Sequence, residues 1–189
     1  MKVRILFLVA LVVVLLATIS SLAQAHTSRH THAQDAAAFE PTEEDNQLLA
    51  EIRHATAEFQ DVEVAEEAGY ASFLDCMSDP DEGGMGQHYV HGEFVGDTLI
   101  DPLQPEALVY EPQEDGSMIL IGFEYIAFQE QWDAENDEPP TLMGQEFGLV
   151  ENLADLPPFY ALHLWVYNYN PNGPFAGYSP NVFCPEAGM

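Results

Sequence analysis

Two histidines and a glutamate stand in segments that are otherwise apolar. Glu124 interrupts SMILIGFEYIAF (117–128), and His163 interrupts FYALHLWVYNY (159–169). His88 lies in GMGQHYVHGEF (84–94), two residues after the last of the glycines at 83, 84 and 86. A carboxylate inside an apolar strand costs several kcal/mol unless it is protonated, paired or bound to a cation. Two imidazoles and one carboxylate on neighbouring strands are the donor set of a two-histidine, one-carboxylate site for a divalent metal, zinc or another transition ion. The same groups could form an acid/base pair, with a buried Glu124 raised toward neutral pH. They could also form a hydrogen-bonded core network. The sequence leaves all three readings open.

Other titratable residues are weaker candidates. Glu106 and Glu111 flank ALVY, and the ends of strands are commonly solvated. His91 and Glu93 follow His88 closely and are assigned to the surface, at the rim of any site. No G-x-S-x-G elbow, phosphate-cradling glycine loop, dinucleotide fingerprint or H-E-x-x-H motif is present. With 32 acidic residues in the chain, closely spaced acids carry no information about glycoside hydrolysis.

The elements that must position these groups change character along the chain. Thr42-Glu-Glu-Asp has the form of a capping box, and Leu48, Ile52, Ala55, Phe59 and Val62 continue from it as one apolar helical stripe. Asp61 is placed to cap a second short helix, with Val64, Ala65 and Ala68 inward and Gly69 ending it. From residue 70 the pattern is one of strands and turns. SDPDEGGMG (78–86) reads as a loop from its Pro, Gly and Asp content. Strands are expected at Gln87–Val95, Ala107–Glu111, Met118–Gln129 and Tyr160–Tyr169, with a hairpin turn at Glu114–Ser117. Strict alternation in 117–128 would put Ile119, Ile121, Phe123 and Tyr125 on one face and Leu120, Glu124, Ile126 and Phe128 on the other. The acidic, Pro-rich stretch 130–158 is long enough to be a functional loop or lid. Helices followed by strands argue for α+β, as an antiparallel sheet or partly closed β-barrel packed by N-terminal helices.

The first 25 residues read as a secretory signal peptide: Lys2 and Arg4, an unbroken apolar run from Ile5 to Ala17, and an Ala23-Gln-Ala25 cleavage site. The apolar run is short for a membrane span, so no span is expected after processing. Residues 26–41 read as a flexible leader and 42–189 as a single α+β domain. The chain carries 32 acidic and 4 basic residues, a formal charge of −28. Cleavage would leave Arg29 and Arg53 as its only fixed positive charges. Such a surface has nothing with which to neutralise phosphates, so nucleic acid is excluded as a partner. Cys76 and Cys184 lie 108 residues apart, and in an oxidising compartment one structural disulfide is expected. The localisation that follows is secreted, or periplasmic or extracellular.

The blocks GMGQHYV, DPLQPEALVYE, GFEY, LMGQEF and LHLWVYNYNPNGPFAGYSPNVFC, with AGY and a cysteine upstream, carry a resemblance. From about Arg53 to Cys184 the chain resembles a family of exported bacterial proteins of unknown function. That family shows G-M-G-x-H-Y-V, P-E-x-L-x-Y-E, G-x-E-Y and L-H-x-W blocks followed by N-P-x-G-x-F and N-P-x-x-x-C. The resemblance implies that both cysteines belong to the family pattern. It also counts against His91 as an essential ligand, since asparagine often takes that place. It brings no activity with it. Cupins also carry histidines and a glutamate on strands, but they use H-x-H where this chain has H-x-x-H. They serve only as an analogy.

The function expected from the sequence is an exported protein that binds a divalent metal through His88, Glu124 and His163. The alternatives are a metal-dependent enzyme of cupin-like character, or a structural or interaction module of the cell envelope without metal. Neither the substrate nor a protein partner can be read from the residues.

Overall fold

A computed structural model describes residues 39–185. The expected signal peptide and nearly all of the expected leader lie outside the described residues. Helix α1 (Glu43–Ala55) opens with the capping box: the Thr42 hydroxyl accepts from the Asp45 N–H at 3.1 Å, and the Asp45 carboxylate accepts from the Thr42 N–H at 2.9 Å. Acids fill its first turn, and Arg53 and His54 its last, as the helix dipole favours. The apolar stripe does not run on as one helix. Thr56, fully buried, donates its hydroxyl to the Ile52 carbonyl at 2.7 Å and ends the helix. A 3-10 turn (Ala57–Gln60) and α2 (Val62–Glu67) follow, the latter capped by Asp61 as expected.

Six strands form one curled antiparallel sheet, a half-barrel, in the order β1-β2-β3-β4-β8-β7. They are β1 (Tyr70–Asp79), β2 (Gly83–His91), β3 (Ala107–Pro112), β4 (Met118–Phe128), β7 (Gly148–Val150) and β8 (Phe159–Trp165). A separate two-stranded ribbon pairs β5 (Thr141–Leu142) with β6 (Gln145–Glu146), and short helices α3 (Gly92–Val95) and α4 (Gln129–Asp133) follow β2 and β4. The fold is α+β, as expected. No helix among the described residues is long and apolar enough to cross a membrane.

One face of the sheet carries the main core. Ile52 and Ala65 from the helices pack there with Tyr89, Leu108, Tyr110, Phe123, Tyr125, Leu162 and Leu164. The opposite face carries Val109, Ile121 and Trp165 in one cluster and Ala107, Ile126 and Phe159 in another. Strict alternation in β4 fails at one point. Val109 pairs with Gly122 but Tyr110 pairs with Leu120, so Ile121 is an extra residue in a bulge. The bulge returns Leu120 to the face of Phe123 and Tyr125 and moves Ile121 to the other, while Ile119 is left 48 % exposed.

The glycine-rich segment is strand rather than loop. Only residues 80–82 turn; β1 runs to Asp79 and β2 begins at Gly83. Gly83 and Gly84 make room for the C-terminal tail. The Gly84 N–H donates to the Ser179 and Val182 carbonyls, both at 3.0 Å, and its own carbonyl accepts from Ser179 N–H at 2.9 Å. A Cβ on Gly84 would stand 2.6 Å from the Val182 oxygen, and one on Gly83 2.2 Å from the Ser179 oxygen. The tail is also joined to β1 by the expected Cys76–Cys184 disulfide. The stretch 130–158 is not one open loop: most of α4, the β5–β6 ribbon and β7 lie within it.

Candidate metal centre

The pairing of the strands brings the three candidate residues to one face. Glu124 on β4 is directly opposite His163 on β8. His88 on β2 is two strands from Glu124, in the neighbouring row, paired with Val109. A flat sheet would separate the β2 and β8 backbones by about 14 Å, three strand spacings, farther than two imidazoles readily bridge. The curl of the sheet closes that gap. Ala107 is the small neighbour of Glu124 on β3, and a Cβ on Gly122 would stand 2.6 Å from the Leu164 carbonyl oxygen, so glycine there lets β4 and β8 approach closely.

His88 stands at the centre of the contacts. His88 Nε2 is 3.1 Å from His163 Nε2 and 3.3 Å from Glu124 Oε2. His163 Nδ1 is 3.7 Å from Glu124 Oε1. One donor atom from each residue can be chosen so that all lie within 4.8 Å of one another. For a tetrahedral ion with bonds of about 2.0–2.1 Å, donor atoms stand roughly 3.3 Å apart, so the two short contacts fit the edges of a coordination polyhedron. The cluster could hold a metal ion.

His88 and His163 are buried, and the Glu124 side chain keeps 14 % of its exposure. Burial drives each group toward its neutral form. It lowers the His88 imidazole to about 4 and raises the Glu124 carboxyl to about 8. His163 falls to about 3, through burial first and the neighbouring His88 second. The Trp165 ring lies nearly parallel to that of His163, with centroids 6.2 Å apart.

His88 and Glu124 also border a cavity of about 120 Å³ whose remaining lining is apolar. Phe73, Leu74 and Met77 of β1 and Leu153 and Leu156 of the segment before β8 contribute to it. None of these was singled out in the sequence; they look like ordinary core or surface apolar residues.

Two other residues lie elsewhere than expected. His91 is not at a surface rim. It is 9 % exposed on the opposite face of β2, stacked on Phe94 at 3.8 Å, with Nε2 3.2 Å from the Ala68 carbonyl. Strand alternation separates it from His88. Glu106 is not a solvated strand end either. It is 1 % exposed, accepts from the Ile126 N–H at 3.0 Å, and burial raises its carboxyl to about 8. Its position before an apolar run carries no signal by which burial could have been foreseen. Glu111, by contrast, is only partly buried and accepts from the Phe183 N–H at 3.0 Å, a contact that helps seat the tail.

Comparison with family models, curated proteins and solved structures finds no match to this chain.

Proposed function

We propose that the protein is exported and binds a divalent metal, zinc or another transition ion, through His88, Glu124 and His163. The observation that carries this reading is the crowding at His88 Nε2. A ring nitrogen has one in-plane direction for a hydrogen bond, whether it donates or accepts. Here two partners, His163 Nε2 and Glu124 Oε2, converge on it at 3.1 and 3.3 Å. Protons alone satisfy only one of those contacts well, whereas a cation between the three groups satisfies all of them. A metal would also keep Glu124 ionised in surroundings that otherwise favour its neutral form.

Three protein donors are fewer than a closed structural zinc site uses, and they leave a coordination position free. The cavity beside His88 and Glu124 favours a second reading, a metal-dependent enzyme, over a purely structural ion. The Cys76–Cys184 bridge is compatible with the oxidising compartment that export implies.

The test is elemental analysis of protein purified from an exporting host without added metal, followed by zinc titration of the chelated form. About one equivalent of metal, lost in Glu124→Ala and in His163→Ala, is the expected result. Metal-free protein that gains no thermal stability from zinc, manganese or copper would leave a hydrogen-bonded core network as the function-free explanation.

A further inference from the structure

The cavity beside the candidate metal centre has a composition that selects a ligand. It measures about 120 Å³. An apolar protein cavity of about 150 Å³ is known to hold benzene and to stay dry when empty. Phe73, Phe128 and Phe159 supply aromatic walls, while Leu153 and Leu156 close it from the segment before β8. His88 and Glu124 are the polar residues in its lining. A ligand here therefore meets an apolar wall on most sides and polar atoms at one end.

We infer that this cavity binds a compact, uncharged aromatic molecule bearing a single hydroxyl group, with the ring among the three phenylalanines and the oxygen directed at the His88–Glu124 edge of the metal centre. The inference rests on the metal reading above, because the metal's free coordination position would receive that oxygen. The size follows from the volume, and the aromatic preference from the ring-lined walls, where edge and offset contacts add to area burial. The single polar group follows from the single polar end. Lack of charge follows from two facts. A charge among the apolar walls finds no compensating partner away from the metal edge, and a chain with a formal charge of −28 repels anions.

Calorimetric titration of the zinc-loaded full chain with phenol, and separately with toluene, tests the assignment. Toluene has nearly the same shape and is the more apolar, so a cavity that ignores the hydroxyl would prefer it. The expected result is saturable phenol binding that is at least tenfold tighter than toluene binding. Leu156→Trp places bulk in the cavity from a partly exposed position outside the main sheet. It should weaken phenol binding at least tenfold while leaving zinc content unchanged. Zinc uptake without saturable phenol binding, or with toluene bound as tightly as phenol, would overturn the ligand assignment and leave the metal reading standing. Unchanged phenol affinity in Leu156→Trp overturns the location. Failure to take up zinc removes the metal reading, and this inference with it.

Discussion

At the residue scale, burial sets an unusual division of protons. The two imidazoles are lowered to about 4 and 3, so above pH 5 neither holds a proton that a metal must displace. Glu124, raised to about 8, does hold one. Metal binding should therefore release one proton below pH 8, and zinc affinity should rise about tenfold per pH unit from roughly pH 5 to 8, then level off. Competition titrations with a chelator at several pH values would check this. A steeper fall below pH 6.5 would mean that the histidines keep their ordinary affinity for protons. Glu106 gives a second prediction on a different part of the sheet. Its folded-state value, near 8, lies above the ordinary carboxylate value of 4.5. The folded protein thus holds an extra proton between those limits. The stability due to it is complete below pH 4.5 and is lost as pH rises through 8. Glu106→Gln keeps an acceptor for the Ile126 N–H, so its melting temperature should fall less than that of the parent between pH 5 and 8. Glu124 and His163 were legible because each breaks an apolar strand. Glu106 was not, because a residue preceding a strand looks the same whether solvent or protein covers it.

At the element scale, helix caps and the β3–β4 hairpin were readable because each depends on local chemistry. The Gln113 N–H donates to the Ser117 carbonyl at 2.8 Å around a turn with Gly116 at φ 86°, as Glu114-Asp-Gly-Ser117 implies. The glycines at 83 and 84 were misread for the opposite reason. Glycine signals that a side chain has no room, and without the fold a turn and a close tertiary approach give the same signal. Here the obstacle is the tail at Ser179 and Val182, almost 100 residues away. The bulge at Ile121 was equally invisible, since an apolar run gives no mark of which residue lacks a partner. Gly84→Ala should lift the tail from β2 and cost about 1–3 kcal/mol, the scale of an overpacked site. Chemical denaturation would show the loss. Hydrogen exchange should locate it at the Ser179 and Val182 amides, with the β4 and β8 amides unaffected. A stability within experimental error of the parent would mean that the tail does not press on this glycine.

At the scale of the whole molecule, the three donors are separated by 75 residues of chain, and only the curl of the sheet brings them together. Their types announced a site, but the convergence depends on strand order, which no local pattern encodes. The disulfide acts on a different part of the assembly. It joins the tail to β1, an edge strand, while the donors lie on β2, β4 and β8. Cys76 follows Phe73 and Leu74 and precedes Met77, three residues that line the cavity, and β1 is irregular between Phe73 and Met77. Bridging ends 108 residues apart restricts the unfolded chain by about 4–5 kcal/mol at most in the entropy model, with real bridges often giving less. The Cys76→Ala/Cys184→Ala variant should therefore melt well below the parent, yet keep its zinc at temperatures where it is folded. Its cavity should suffer more than its metal centre, because the wall formed by Phe73, Leu74 and Met77 is no longer held to the tail. Zinc content and phenol affinity measured on the same sample separate the two effects. Loss of zinc in the folded variant would show that the metal centre depends on the edge strand after all, and that the inner strands alone do not hold its donors in place.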